Sequence, residues 1–260
     1  MRLAVDAQLR AGADVITDGE QRRDNYSSFV GGILDNCQLV PLTDLLPLVE
    51  DPEEFERQLR ALDVPAGDVR HPVAFGPIGR SRPIATHEAR FVKTLTDRPV
   101  KVALPGPYLL TRTMWMDCIV DRAYPTREDL ARDIVRVLRE EISFLLADGV
   151  ALVQLDEPVL SEVVFTGGAS VDGAQATGKR SFMCGALSEK SDTPSELAFA
   201  RDLINAVADG FPRERLALHM CRGRRCWSCA RRARASSRCC AGCRTTCGRT
   251  RHRAPATRTL

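Results

Sequence analysis

The feature that most constrains the fold of this chain is an alternation of amphipathic helices with short strands that are apolar throughout. The clearest helix is predicted over residues 126–148, where apolar side chains recur at the helical period and Thr126 and Asp129 form a plausible capping pair. Gly149 ends this helix, and an apolar strand over 150–155 follows directly. Strands without a polar face are typical of a parallel sheet covered by helices. The sequence therefore predicts an α/β protein built around such a sheet.

The same alternation recurs along most of the chain. Helices are predicted at 3–11, 86–95 and 194–208 with shorter helical segments between 39 and 62, and strands at 14–17, 72–76, 99–104 and 216–219. Polar residues collect where these strands end, and barrels of alternating strands and helices carry their chemistry at that end. Five strands are predicted in all, fewer than the eight of a closed barrel.

The composition changes abruptly towards the C-terminus. From Arg222 to Leu260 the chain has 12 Arg and no Lys, Asp or Glu, and seven of its ten cysteines lie at or after Cys221. Residues 1–221 carry 25 Lys and Arg against 34 Asp and Glu, so the net charge of +3 belongs to the C-terminal part. We expect a folded body over 1–223 and an Arg- and Cys-rich, disordered tail over 224–260.

His219 and Cys221 lie at the end of the last predicted strand. Residues two apart point to the same side of a strand, so the imidazole and the thiol could reach one ion. Zinc takes nitrogen and sulfur ligands of this kind and needs three or four of them. The pair is a candidate metal site. A histidine bonded to a carbonyl and a cysteine packed in the core would give the same spacing.

Carboxylates mark two other strand ends. Asp156 and Glu157 follow the strand at 150–155, and Glu20 follows the strand at 14–17. Adjacent residues of a strand face opposite sides, so one of Asp156 and Glu157 should enter a site and hold a cationic group such as a substrate amine. Helix capping by Asp156 is the alternative, and the same choice applies to Glu20.

Four segments resemble motifs of one protein family. They read DVITDGEQRR at 14–23, VALPGP at 102–107, VQLDEP at 153–158 and HMCRG at 219–223. In this order they resemble the catalytic domain of the cobalamin-independent methionine synthases. The resemblance implies a (β/α)8 barrel of the TIM type, related to uroporphyrinogen decarboxylase. It also implies transfer of a methyl group from 5-methyltetrahydropteroyl-glutamate to the zinc-bound thiolate of homocysteine.

The resemblance assigns roles to residues of this sequence. His219 and Cys221 match two of the family's four zinc ligands, which makes zinc the expected cofactor. Glu20 and Asp156 match carboxylates that bind the amino group of homocysteine. Zinc would lower the pKa of the homocysteine thiol, so that a thiolate nucleophile is present at neutral pH.

Two further residues match the folate side of the family's site, and other parts of the family pattern do not appear. Glu162 matches a folate contact, and Trp115 lies in the region of an aromatic residue beside the pterin. The family's first strand would lie before Met1. After Gly223 the last strands, a Glu and a second Cys zinc ligand and a proton-donating His are not found. The expected fold is thus an incomplete barrel, with methyl transfer impaired or absent.

The tail permits a different interpretation. Cys226-x2-Cys229 and Cys240-x2-Cys243 imitate zinc knuckles among arginines, which would suit a nucleic-acid-binding protein. No apolar strand is predicted beside either pair. A shifted reading frame explains the tail better, because reading one base earlier turns every Cys or Trp codon into Leu, Val or Met. We therefore expect an insertion or deletion near codons 222–225 and no nucleic-acid partner.

The sequence also bears on location and partners. It contains no run of 18 apolar residues, and its N-terminus lacks the apolar stretch of a signal peptide. We expect a cytoplasmic protein whose partners are homocysteine and methyl-folate, with no membrane partner. The open alternatives are another zinc-dependent thiol alkyltransferase or a decarboxylase-like enzyme on the same barrel, and the Cys- and Arg-rich nucleic-acid binder.

Overall fold

The structure, a computed structural model, describes residues 1–48, 52–53, 56–57, 70–115, 123–166 and 193–220. These residues belong to one compact unit, Met1–Cys221, and the second unit, Arg222–Leu260, lies outside the described residues. The predicted tail and Cys221 are therefore not covered. No helix in the described ranges is long and apolar enough to cross a membrane.

The described elements alternate between helix and strand only in part, because one pair of strands and two pairs of helices are consecutive. In chain order they are α1 Arg2–Arg10, β1 Asp35–Pro41, β2 Arg70–Gly79, α2 Thr86–Lys93, β3 Lys101–Pro105, α3 Pro107–Met114, α4 Arg127–Ala147, β4 Leu152–Asp156, α5 Val159–Thr166, α6 Thr193–Ala208 and β5 Leu216–His219. Three 3-10 helices, Ser28–Gly32, Leu42–Leu48 and Arg213–Arg215, lie among them.

A parallel sheet forms the centre of the described unit. Its strands lie in the order β3-β4-β5, and the register places Pro105 beside Asp156 and Asp156 beside His219. Ile16 adds one parallel bridge to Val100, next to β3, where a full strand was predicted at 14–17. The prediction of a parallel sheet is confirmed for its last three strands.

Helix α4 supplies much of the core that covers this sheet. Thr126 and Asp129 form the predicted capping box, in which the Asp129 N–H donates to Thr126 Oγ1 at 3.1 Å. The predicted apolar stripe is buried and joins the core, through Leu130, Ile134, Val137, Leu138, Ile142 and Leu145. Burial of each Leu or Ile side chain stabilises the fold by about 1.5–3 kcal/mol.

Two predictions about strands were wrong in part. The strand predicted at 72–76 forms within β2, but β2 pairs antiparallel with β1 in a separate two-stranded sheet. Gly76 therefore does not belong to the carboxyl edge of the parallel sheet. Residues 39–41 belong to β1 rather than to a helix, and the 3-10 helix Leu42–Leu48 follows them. Residues 52–53 and 56–57 are helical as predicted, and the rest of 49–69 lies outside the described residues. Pro41 and Pro47 lack the N–H that a longer helix would need.

Candidate active site

The carboxyl edge of the parallel sheet brings chemically active residues side by side. Beyond the strands, the Gly106 N–H donates to the Asp156 carbonyl at 2.8 Å, and the Glu157 N–H donates to the His219 carbonyl at 2.8 Å. These bonds extend the strand pairing by one residue and fix where each loop starts. Residues that follow β3, β4 and β5 thus lie along one edge.

Asp156 and Glu157 have different surroundings. Asp156 is buried, and its Oδ1 accepts a hydrogen bond from Gln154 Nε2 at 2.7 Å. Glu157 is also buried, and its two carboxyl oxygens accept the backbone N–H groups of Tyr108 and Leu109 at 2.7 and 2.8 Å. Those N–H groups are at the start of α3, where a helix has unpaired donors. Glu157, rather than Asp156, therefore caps a helix.

The Glu157 carboxyl is held in a confined space. Burial raises the pKa of Glu157 to about 8, the two N–H groups oppose this shift, and the charge of Asp156 adds to it. A Cβ atom at Gly106 would lie only 2.3 Å from Glu157 Cδ. Position 106 therefore requires glycine for steric reasons, which explains the glycine of the Pro-Gly-Pro segment after β3.

Glu20 lies in a turn after the Ile16 bridge and has a positive φ of 53°, a conformation that is costly for a residue other than glycine. Its carboxylate is 3.9 Å from Arg23 Nη1, and its side chain is 36% exposed. Burial raises the pKa of Glu20, Arg23 lowers it, and the charges of Asp156, Asp18 and Glu88 raise it further. Glu20 and Asp156 thus lie close enough for their charges to interact.

Arg23 and Glu88 form a buried ion pair that was not anticipated from the sequence. Nε and Nη2 of Arg23 donate to Glu88 Oε2 at 3.2 and 3.1 Å, and Nη1 donates to the Ala103 carbonyl in β3 at 2.8 Å. The guanidinium also lies over the Phe29 ring, 4.4 Å from its centre. These contacts tie the loop that carries Glu20 to both β3 and α2. The sequence signal that could have indicated this ion pair was Glu88, a glutamate on the apolar face of α2.

Comparison with known proteins assigns the family. The family model described as the catalytic domain of cobalamin-independent synthase matches residues 63–193, just over half of the chain. The chain belongs to the cobalamin-independent methionine synthase family. The 5-methyltetrahydropteroyltriglutamate–homocysteine methyltransferases of Salmonella arizonae and Cronobacter sakazakii are 31% and 30% identical to it over 193 residues. The match covers 74% of this chain but 23% of each relative, so the chain spans about a quarter of their length.

Two solved structures show the same α/β fold. A B12-independent methionine synthase from Shewanella sp. W3-18-1, in complex with selenomethionine, matches with a TM-score of 0.56 and 24% identity over 85% of this chain and 50% of that one. A putative vitamin-B12 independent methionine synthase from Listeria monocytogenes matches with a TM-score of 0.52 and 18% identity, over 85% and 53%. The family member described here thus has a TIM-barrel-like fold, although its described strands do not close into a barrel.

The zinc ligands predicted from the family are only partly described. His219 is exposed at the end of β5, beside Asp156, and Cys221 lies outside the described residues. No group of three or more His, Cys, Asp or Glu side chains in the described ranges has the arrangement of a metal site. At this edge the described residues supply the imidazole of His219 but no cysteine, and zinc needs three or four ligands. By themselves they do not fit a zinc ion.

One predicted folate contact, Trp115, lies farther from the sheet edge. Trp115 follows the last residue of α3, is partly buried, and donates its indole N–H to the Tyr124 carbonyl at 3.3 Å. A helix of eight residues is roughly 12 Å long, so Trp115 lies about that distance from the end capped by Glu157. Glu162 lies in α5, and its side chain is outside the described part of the chain. Both assignments stay predictions.

A second buried network holds α3 in place. The Tyr108 hydroxyl donates to Glu196 Oε2 at 2.7 Å, and Arg127 donates through two nitrogens to both oxygens of Glu196 at 3.2 and 2.8 Å. Arg112 Nη1 donates to the Tyr108 hydroxyl at 3.2 Å. The network joins the start of α3 to α4 and α6. Because its members lie far apart in the sequence, no local pattern predicted it.

Proposed function

We propose that this chain takes part in methyl transfer from 5-methyltetrahydropteroyl-glutamate to the thiol of homocysteine, giving methionine. The observation that supports the proposal is the pairing of Asp156, at the end of β4, with His219, at the end of β5, together with the charge of Asp156 that raises the pKa of Glu20. The family supports the reaction type. Because the chain spans about a quarter of its relatives, the activity is a proposal for the chain itself.

Glu20 and Asp156 would bind the ammonium group of homocysteine. They come from different segments, Glu20 from the loop after the Ile16 bridge and Asp156 from the end of β4. Asp156 is buried and Glu20 is partly buried, so each would form a stronger charge-assisted bond than in open water. Binding at this point would leave the thiol of the substrate free to extend towards β5.

His219 and Cys221 would hold zinc, and bound zinc would supply a lowered thiol pKa. Two ligands hold a metal ion weakly, so low zinc occupancy and impaired activity are part of the proposal. Glu162 and Trp115 would contact the methyl-folate. The proposed partners are these small molecules in the cytoplasm, rather than nucleic acid or a membrane.

Binding of L-homocysteine to purified chain, measured by calorimetry, tests the proposal. Glu20→Gln and Asp156→Asn should each weaken binding at least tenfold, because each removes a charge that faces the ammonium group. Asp6→Asn, on the exposed face of α1, is the matched control and should have no effect. Equal affinities in all four proteins would contradict the proposal. If homocysteine and a thiol that lacks an amino group bind equally well, the result would favour a different thiol alkyltransferase.

A further inference from the structure

The parallel sheet has an apolar face and a more polar face. The side chains of the apolar face are buried in the core that α4 also joins, and they are Val102, Leu104, Val153 and Leu155. Adjacent residues of a strand point to opposite sides, so Lys101, Gln154 and Asp156 lie on the other face. The polar residues of β3 and β4 therefore share one face with the proposed ligand contact Asp156.

Two hydrogen bonds connect these three polar residues in a chain. Lys101 Nζ donates to Gln154 Oε1 at 3.0 Å, and Gln154 Nε2 donates to Asp156 Oδ1 at 2.7 Å. Gln154 and Asp156 are two residues apart on β4, and Lys101 lies diagonally opposite Gln154 on β3. The direct neighbours of Gln154 on the flanking strands are Ala103 and Ala217, whose small side chains leave room for its amide.

The chemistry of the two outer groups fixes the orientation of the Gln154 amide. The Lys101 ammonium group has donors and no acceptor, whereas the ionised Asp156 carboxylate has acceptors and no donor. An amide group has a donor end and an acceptor end, so only one of its two orientations satisfies both neighbours. Lys101 and Asp156 therefore select the same orientation, in which the NH2 group of Gln154 points to the carboxylate.

This chain restrains Asp156 and leaves one of its oxygens available. Asp156 is 7% exposed, and among the described residues Gln154 is the one that donates to its carboxylate, through Oδ1. A hydrogen bond to an ionised group is stronger than one between neutral groups, so it limits rotation of the carboxylate. Oδ2 then keeps a defined position at the end of β4, where Asp156 pairs with His219.

We propose that Gln154 and Lys101 are positioning residues of the candidate site. Lys101 orients the amide of Gln154, and this amide holds Asp156 so that Oδ2 faces the cationic group of the ligand. The inference rests on the proposed function for the ligand class, an amino acid. Both residues act through Asp156 rather than on the ligand. The motif at 153–158 drew attention to its two carboxylates, whereas the role of Gln154 depends on a lysine that only the pairing with β3 brings near.

Calorimetric titration of the whole chain with L-homocysteine tests the positioning role. Gln154→Leu removes both hydrogen bonds and should weaken binding roughly tenfold. Gln154→Glu keeps an acceptor for Lys101 but places a second carboxylate against Asp156, so it should weaken binding at least as much. Lys101→Met should have a smaller effect, since Asp156 still selects the amide orientation. Gln38→Leu, the same change at an exposed position of β1, is the matched control and should bind as wild type does.

A double-mutant cycle separates positioning from a merely structural role. If Gln154 acts through Asp156, adding Gln154→Leu to Asp156→Asn should weaken binding less than about twofold further. If Gln154 only supports the fold, its effect should be as large in the Asp156→Asn background as in wild type. Equal effects in the two backgrounds, with a lowered melting temperature of the ligand-free Gln154→Leu protein, would overturn the inference.

A measurement without ligand distinguishes this inference from the proposed function. In NMR spectra of the isotope-labelled, ligand-free chain, the side-chain NH2 signal of Gln154 can be identified by its loss in Gln154→Glu. This signal should shift in both Asp156→Asn and Lys101→Met, whereas the Gln38 signal should stay in place. A Gln154 signal that is unchanged in both variants would overturn the inference. If the signal shifts as expected but wild type does not bind L-homocysteine, the proposed function fails and the positioning of Asp156 by Gln154 stands.

Discussion

Replacement of Gly106 by alanine should destabilise the fold through one identifiable clash. The new Cβ would lie 2.3 Å from Glu157 Cδ and Oε1, well inside the contact distance of any such pair of atoms. Glu157 is fully buried and bonded to two N–H groups of α3, so it cannot move aside without losing them. Gly106 itself has an ordinary extended φ of −74°, so backbone strain plays no part.

The magnitude follows from two contributions. Overpacking of a closed site costs about 1–3 kcal/mol. Loss of the two backbone hydrogen bonds that the buried Glu157 carboxyl accepts costs about 1–3 kcal/mol more. The free energy of unfolding of Gly106→Ala should therefore fall by roughly 2–6 kcal/mol, a large part of the stability of a typical domain.

Urea unfolding followed by far-ultraviolet circular dichroism measures the change. The control is Gly32→Ala, whose Cβ would meet nothing closer than Leu39 Cδ1 at 3.9 Å, and which should change stability by less than about 1 kcal/mol. On a Glu157→Ala background the clash is gone, so adding Gly106→Ala should also cost less than about 1 kcal/mol. An equal cost of Gly106→Ala with and without Glu157 would refute the reasoning.

Three other predictions concern acid stability, metal and the gene. Burial lowers the pKa of His71 to about 4 from 6.5, so the unfolded chain binds the extra proton first and stability falls as the pH drops between these values. Between pH 7 and pH 4, wild type should lose about 3 kcal/mol more unfolding free energy than His71→Leu loses. A difference in unfolding free energy between the two proteins that does not change with pH would contradict this. Metal analysis of wild type should find little zinc whose binding depends on Cys221. Stoichiometric zinc in wild type that is lost in Cys221→Ser would show a stronger site. Sequencing the gene should find an insertion or deletion near codons 222–225, and early stop codons in the shifted frame would disprove it.

The parts of the fold that the sequence predicted well are those fixed by local periodicity. Helix α4 and its capping box depend on spacing within one segment, and β4 follows it after a glycine. The pairing partner of a strand is not a local property. The apolar residues of β2 fit antiparallel pairing with β1 as well as they fit a parallel sheet, so periodicity could not separate the two arrangements.

The candidate site was likewise predictable from the sequence only in part. Residues at the ends of β4 and β5 could be assigned to one edge, because parallel strands place their carboxyl ends together. The sequence could not show that Asp18 is buried without a bond for Oδ2, or that Arg23 is bonded to Glu88. Both depend on which side of a loop faces the sheet. The alternation rule did predict that Asp156 and Glu157 would separate, but not which of them would face a ligand.

The capping of α2 and α3 explains why the sequence alone did not show which of Asp156 and Glu157 faces a ligand. It also indicates which observation would have helped to decide between them. Both helices follow residues without a capping side chain, Ala85 and Gly106, so their first N–H groups need acceptors from elsewhere. Distant glutamates supply them. Glu141 on α4 accepts the N–H groups of Ile84, Ala85 and Thr86, and Glu157 accepts those at the start of α3.

The pKa values of the two capping glutamates shift in opposite directions because their other neighbours differ. Burial raises the pKa of Glu141, but the N–H groups of Ala85 and Ile84 and the Arg80 guanidinium outweigh it and leave the pKa lowered. Glu157 accepts two such N–H groups and has Asp156 beside it, so its pKa stays raised. A helix that starts without its own cap therefore predicts a buried acceptor elsewhere in the chain. Since Glu157 meets that need for α3, the adjacent Asp156 is the carboxylate that remains for a ligand.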